Sequence, residues 1–192
     1  MTQYRHPTRD TLFVIHNLSG IDRVLALGAF ADFDLEMVDQ VVEEAGKFAA
    51  DVLSPINILG DQSGCKVIDG GVVAAPGFAD AYQQFVDNGW QSIEVPAAYD
   101  GMGMPGIVNA AAMESWQAAC MSFTLAPMLT GGAISALQAH GSDTLRNTYI
   151  PKMSSGVWTG SMNLTESHAG SDLSAVATRA IPEDDHYRIS GS

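Results

Sequence analysis

Cysteine is scarce in this 192-residue chain: Cys65 and Cys120 are its only two, and no C-x-x-C pair occurs. That argues against a disulfide framework or a structural zinc site and fits a reducing, cytoplasmic setting. Basic residues are scarce too, nine Lys and Arg against 22 Asp and Glu, for a net charge of −13. A nucleic-acid partner, which needs a basic surface to displace counterions, is therefore not expected. The start of the chain has no continuous apolar core of a signal peptide, and no run approaches the ~20 apolar residues of a membrane span. The five histidines (His6, His16, His140, His168, His186) show no metal-ligand spacing, so no metal is expected. What is present is a 46% apolar composition, sufficient for a buried core and unlike a disordered chain.

Helical periodicity dominates the first 150 or so residues. After a polar start, Leu12–Ile15 and Ile21–Leu27 read as a packing arm with a short helix ending near Gly28. Asp34 is placed to cap a helix running to about Leu53, with Leu35, Val38, Val41, Val42, Ala45, Phe48, Ala49 and Val52 on one face. Ser54-Pro55 is expected to stop it, because the residue before proline avoids the helical region. Val67-Ile68 and Val72-Val73 around Asp69-Gly70-Gly71 have hairpin propensity. A helix is predicted from Gly77 to about Asp87, exiting at Asn88-Gly89. Another runs from Ile107 to about Cys120, with Ile107, Val108, Ala111, Ala112, Met113, Trp116 and Ala119 toward a core; a further helix ends at His140-Gly141. Ser142 caps the last, with Leu145, Tyr149 and Ile150 inward and Pro151 ending or kinking it.

Beyond Ser154-Ser155-Gly156 the period changes to alternation, and three strands are predicted: Val157 to Thr165, Ala175 to Ile181, and His186 to Ser190 after an Asp184-Asp185 turn. The fold class is thus mainly α: a helical domain over residues 1–156, followed by the opening strands of a β domain over 157–192. Three strands alone leave unpaired edges and half a core, so the expectation is a β domain that continues past Ser192.

The densest signal lies in Trp158-Thr159-Gly160-Ser161-Met162-Asn163-Leu164-Thr165-Glu166-Ser167-His168-Ala169-Gly170-Ser171-Asp172. An extended run breaks into a turn and a glycine-serine-aspartate loop, presenting backbone donors and uncharged hydroxyls to a ligand. Gly170 lets a large group approach the backbone closely. In so acidic a chain, phosphates would have to be met by N–H groups and hydroxyls. The stretch resembles the flavin-binding segment of the acyl-CoA dehydrogenase family, M-C-L-T-E-P-x-A-G-S-D. It matches at Met162, Leu164, Thr165, Glu166, Ala169, Gly170, Ser171 and Asp172, and departs at Asn163 and Ser167. Losing the family's proline at Ser167 restores an N–H and frees φ, so the turn is expected to be looser.

Two further stretches resemble the family. Pro96-Ala97-Ala98-Tyr99-Asp100-Gly101-Met102-Gly103 is similar to its P-x-x-Y-G-G-x-G loop, with Asp100 replacing a glycine. Phe123-Thr124-Leu125-Ala126-Pro127 through Ala133 and His140-Gly141 follows its F-x-L-x-P-x-L-T-x-x-A…H-G pattern. The N-terminal piece resembles the extension of the longer bacterial members. The family treats the 56–76 region mostly as a loop, which competes with the hairpin reading. Its acyl pocket is lined from the helical layer, so the Met stripe (Met102, Met104, Met113, Met121, Met128) reads either as core, the simpler choice, or as pocket.

The resemblance implies an N-terminal helical domain, a middle β domain and a C-terminal bundle. It also implies FAD, and oxidation of an acyl-CoA thioester to the 2,3-enoyl-CoA. In that reaction a carboxylate takes the α-proton, hydride leaves the β-carbon for the flavin, and donors at the thioester oxygen stabilise the enolate. By resemblance Met162, Asn163, Leu164, Thr165, Gly170 and Ser171 contact the flavin, and Ser171 the substrate as well. The catalytic base is expected from the C-terminal bundle, outside this sequence, leaving Glu166 structural and Asp172 a turn acceptor. Electron-transfer flavoprotein is the implied electron acceptor and a homo-oligomer the implied assembly. Two alternatives stay open: a non-catalytic helical protein that pairs with a partner chain, and an acyl-CoA oxidase.

Overall fold

The computed structural model describes residues 4–191, so the first three residues of the N-terminal arm and Ser192 lie outside the described residues. The chain divides into two compact units, one ending at Ser161 and the other beginning at Met162.

The first unit is helical. Helices α1 (Thr8–Asn17) and α2 (Ile21–Leu25) form the arm, which anchors through buried Ile15 and Ile21. Helix α3 (Leu35–Phe48) starts at the expected cap: the Asp34 carboxylate accepts the Met37 N–H at 2.9 Å. Its apolar stripe is the predicted one, with Val38, Val42, Ala45 and Phe48 buried and Leu35 and Val41 packed at the edge.

Pro55 does not end this helix. A π-helical turn over Ala49–Leu53 leads directly into α4 (Ser54–Ser63), with Pro55 in its first turn. The widened turn makes room for the proline ring where an α-turn would clash with the carbonyl four residues back. Hairpin propensity then prevails over the loop expectation. Strands β1 (Lys66–Ile68) and β2 (Gly71–Val73) pair antiparallel around Asp69-Gly70, both at positive φ as a type I′ turn requires.

Helix α5 (Phe78–Asp87) matches its predicted span and leaves through left-handed Gly89. Helix α6 (Gly106–His140) is broken at Cys120 (φ −156°, ψ 87°), where the first of the two predicted helices was expected to end, and resumes helix at once to His140. Just past the break the fully buried Thr124 hydroxyl lies within donating distance of the Cys120 carbonyl at 3.3 Å and the Met121 carbonyl at 3.1 Å. By length and mean hydropathy (1.4) α6 is apolar enough to cross a membrane, contrary to the sequence reading. Its first half packs on α3, with Val108, Ala112, Trp116 and Ala119 buried, whereas Met121, Leu125 and Met128 beyond the break are exposed.

Helix α7 (Asp143–Ser154) is capped by Ser142, whose hydroxyl accepts the Leu145 N–H at 3.3 Å. Pro151 lies inside it and does not end it, since Ile150 and Met153 are both buried and hold the last turn in place. Leu145 and Tyr149 are exposed and not inward as expected; Tyr149 lies against Trp158, with ring centroids 5.8 Å apart.

The core centres on aromatic edge-to-face contacts. Trp116 meets Phe85 at 5.2 Å and Trp90 at 5.4 Å, and its indole N–H donates to the Ala45 carbonyl at 3.1 Å. A smaller cluster joins Val95, Ile134, Ile150 and Met153. The Met stripe is not uniformly core: Met104 is buried and Met113 half-buried, whereas Met102, Met121 and Met128 are exposed.

In the second unit, β3 (Arg179–Glu183) pairs antiparallel with β4 (His186–Ser190) through the expected turn, where Asp184 takes φ 47°. The strand predicted over 157–165 is absent: that stretch finds no partner strand among the described residues. The strand predicted over 175–181 begins only at Arg179. The N–H groups of Ala177 and Thr178, which a partner strand would need, are taken by Glu166.

Candidate functional site

The segment that carries the motif is built around its own acids. Glu166 and Ala169 exchange backbone hydrogen bonds, both 3.1 Å, across a turn formed by Ser167 and His168. The ladder is closed without the family's proline. Inside it, the Glu166 carboxylate accepts the Ala177 N–H at 3.0 Å and the Thr178 N–H at 2.8 Å. Hydrogen bonding from the Thr178 side chain, then from the Ala177 and Thr178 backbone, holds the Glu166 carboxyl down at about 2, with a small aid from His168. His168 Nε2 is 3.4 Å from Glu166 Oε2 and 3.1 Å from the Ala175 carbonyl oxygen. Glu166 is thus a buried strut, as its structural reading required.

Asp172 behaves as the expected turn acceptor. Its Oδ1 takes the Ser174 N–H at 3.1 Å and the Ser174 hydroxyl at 2.5 Å, opening a 3₁₀ turn over Leu173–Ala175. The two carboxylates nearest the motif are therefore bound to the loop's own donors.

The six predicted contact residues have the opposite character. Met162, Asn163, Leu164, Thr165, Gly170 and Ser171 are all exposed. Among the described residues, the Thr165 and Ser171 hydroxyls make no hydrogen bond, nor do the backbone N–H groups of Met162, Asn163, Leu164, Thr165, Gly170 and Ser171. Gly170 is not required by the turn: its φ is not positive, and an added Cβ would meet only the Thr165 methyl, at 4.0 Å. The space beside it is open. Met162–Thr165 and Gly170–Ser171 flank one hairpin-like turn, so the structure brings the predicted residues to the two ends of a single small element.

The lead-in to this segment is anchored within the first unit, where the Gly160 N–H donates to Thr130 Oγ1 at 3.1 Å. A Cβ on Gly160 would press on Ala133 at 2.6 Å, so a glycine is needed there for close approach to α6. Trp158 is held between Tyr149 and the Lys152 ammonium, 4.1 Å from its ring centre.

Sequence reading missed a second feature, a cavity of about 240 Å³ in the first unit between α5, the two halves of α6 and the 90–95 turn. Trp90, Gln91 and Gln138 line it. No motif links residues so far apart in sequence, and only the fold collects them. No cluster of His, Cys, Asp and Glu suited to a metal ion occurs among the described residues.

Comparison with known proteins gives the same reading as the motif. The model of the acyl-CoA dehydrogenase N-terminal domain matches residues 36–157. A 3-methylmercaptopropionyl-CoA dehydrogenase of Ruegeria pomeroyi is 45% identical over 98% of this chain and 32% of its own length. A butyryl-CoA dehydrogenase of Syntrophomonas wolfei is 31% identical, again over 98% of this chain and 32% of its own. This chain therefore spans about a third of these curated relatives. Among solved structures, butyryl-CoA dehydrogenase from Megasphaera elsdenii superposes with a TM-score of 0.68 at 19% identity, over 83% of this chain and 40% of that one. A glutaryl-coenzyme A dehydrogenase gives 0.69 at 21%, over 83% and 39%. With its helical first unit matched in fold and most of its length matched in sequence, the chain belongs to the acyl-CoA dehydrogenase family and carries that family's N-terminal domain.

Proposed function

We propose that this chain is the N-terminal portion of an FAD-dependent acyl-CoA dehydrogenase, which oxidises an acyl-CoA thioester to the 2,3-enoyl-CoA. Met162, Asn163, Leu164, Thr165, Gly170 and Ser171 contact the flavin, and Ser171 also meets the substrate. The observation that carries this reading is the division of labour in the motif. Its carboxylates, Glu166 and Asp172, are withdrawn into hydrogen bonds of their own loop, while the Thr165 and Ser171 hydroxyls and the N–H groups of Met162–Thr165, Gly170 and Ser171 stay uncommitted and exposed.

That donor set fits a flavin. The polar edge of the ring system and the pyrophosphate need neutral donors, and an uncompensated carboxylate beside either would repel them. The open face of Gly170 admits a bulky group against the backbone. The bound flavin supplies the hydride acceptor for the β-carbon. This chain's own residues bind and orient it, and none of them is assigned the role of α-proton base. Names of relatives support an acyl-CoA substrate, and a matched solved structure concerning an electron transferring flavoprotein of Acidaminococcus fermentans supports such a protein as electron acceptor.

The test is the visible absorption spectrum of the purified chain after incubation with FAD and desalting. A retained flavin band with a perturbed shape, diminished in Thr165→Val and Ser171→Ala, supports the reading. A band retained equally by both variants contradicts the assignment of these residues.

A further inference from the structure

The stretch that leads into the flavin-contact loop is fastened to the helical unit in three steps. The Tyr82 hydroxyl donates to the Gly156 carbonyl at 3.0 Å. The Trp158 N–H donates to the Lys152 carbonyl at 3.0 Å, and the indole ring lies between Tyr149 and the Lys152 ammonium. The Gly160 N–H then donates to Thr130 Oγ1 at 3.1 Å. This is the last fastening before Glu166: among the described residues, the backbone N–H groups of Ser161 through Thr165 make no hydrogen bond.

Thr130 is fully buried, and its hydroxyl donates to the Ala126 carbonyl at 2.8 Å, one turn back on α6. That bond sets the side-chain rotamer and spends the only hydroxyl proton, so the oxygen serves Gly160 as an acceptor. Gly160 lies flat against the helix at this point. A Cβ there would come within 2.6 Å of the Ala133 methyl and 3.2 Å of the Thr130 Cα. The glycine permits the close approach and the hydroxyl fixes its register. A buried hydroxyl is costlier than a methyl group unless its bonds are made, and here one of them goes to the lead-in.

We propose that Thr130 is a positioning residue for the flavin-contact segment: through its bond to Gly160 it fixes the point on α6 from which Met162–Thr165 departs. The inference rests on the flavin reading of residues 162–171, because a segment that meets no ligand needs no fixed point of departure. Contact groups work only when their supports hold them within about 0.5 Å of the productive geometry. Ser161 alone separates Gly160 from Met162, so slack at Gly160 passes directly to the contact residues.

The test compares Thr130→Val, which keeps the branched shape and loses the acceptor, with Thr130→Ser, which keeps the hydroxyl. Each is followed by ¹H–¹⁵N NMR without ligand and by titration with FAD. In Thr130→Val the Gly160 amide should exchange faster and the amides of Ser161 to Thr165 should shift, while the Trp116 indole peak stays in place. FAD affinity should fall roughly tenfold, the order of one lost buried hydrogen bond, and Thr130→Ser should restore both readings. Thr130→Ala, which removes the acceptor without adding a branch, gives the same comparison if Thr130→Val lowers the melting temperature. Unmoved 160–165 amides, or equal FAD affinity in the unsubstituted chain and the hydroxyl-less variants, would overturn the positioning role alone. An unsubstituted chain that binds no FAD would overturn the flavin reading and this inference with it.

Discussion

Thr178 donates its backbone N–H to Glu166 Oε1 at 2.8 Å, across a separation of twelve residues. This bond, with that from Ala177, makes the acid of the motif a fastener of its loop. The Glu166 carboxyl is held at about 2 in the folded chain, against 4.5 for an unperturbed glutamate. Because the folded value is depressed, the stabilisation is fully present above pH 4.5 and is lost as pH falls from 4.5 through 2. Carboxyl-detected NMR should place the Glu166 midpoint near pH 2, and the Ala177 and Thr178 amide shifts should follow that midpoint. A midpoint near 4.5 would mean the bonds are not formed.

Trp116 is the central side chain of the first unit, fully buried and bonded through its indole to Ala45. Trp116→Ala is expected to cost about 3–5 kcal/mol in urea unfolding, the range for large aromatic truncations. Trp116→Phe keeps the apolar contacts but leaves a buried carbonyl short of one donor, and should cost less.

Gly101 sits where a Cβ would overlap the Val95 backbone carbonyl. The turn around it is fastened by Met102 N–H to Ser92 O at 2.9 Å and Gly103 N–H to Val95 O at 2.8 Å. Backbone cannot yield as a flexible side chain would, so Gly101→Ala should destabilise the chain by about 1–3 kcal/mol. Thermal unfolding would check it; an unchanged melting temperature would show that this turn is not packed as described.

At the start of α3, Asp34→Ala removes the acceptor of the Met37 N–H and should cost about 1 kcal/mol. Asp34→Ser, which keeps a capping oxygen, should recover most of it in the same denaturant titration.

Local chemistry made much of the helical unit legible. Asp34 and Ser142 announce their caps, Asn88-Gly89 the end of α5, and the spacing from Val38 to Phe48 the buried face of α3. The proline rules failed where tertiary contacts prevailed. Pro55 was absorbed by a π-turn whose existence no residue type declares, and Pro151 was held in helix by buried Ile150 and Met153. Alternation over 157–165 resembled a strand, but pairing is decided by a partner edge and not by the segment itself. Of the candidate site, the proposed contact residues rest on resemblance to a family motif alone. The commitment of Glu166 to Ala177 and Thr178 was beyond reach, because it depends on the chain folding back. So was the cavity lined by Trp90, Gln91 and Gln138, residues that only packing collects.

The central claim is that the loop from Met162 to Ser171 meets the flavin through its uncommitted donors. The most direct measurement is residue-resolved: ¹H–¹⁵N NMR of the assigned chain during titration with FAD. The account expects the largest shifts at the amides of Leu164, Thr165, Gly170 and Ser171, with those of Ala177 and Thr178, already engaged by Glu166, little changed. Shifts concentrated in the helices of the first unit, with the 162–171 amides unmoved, would contradict it.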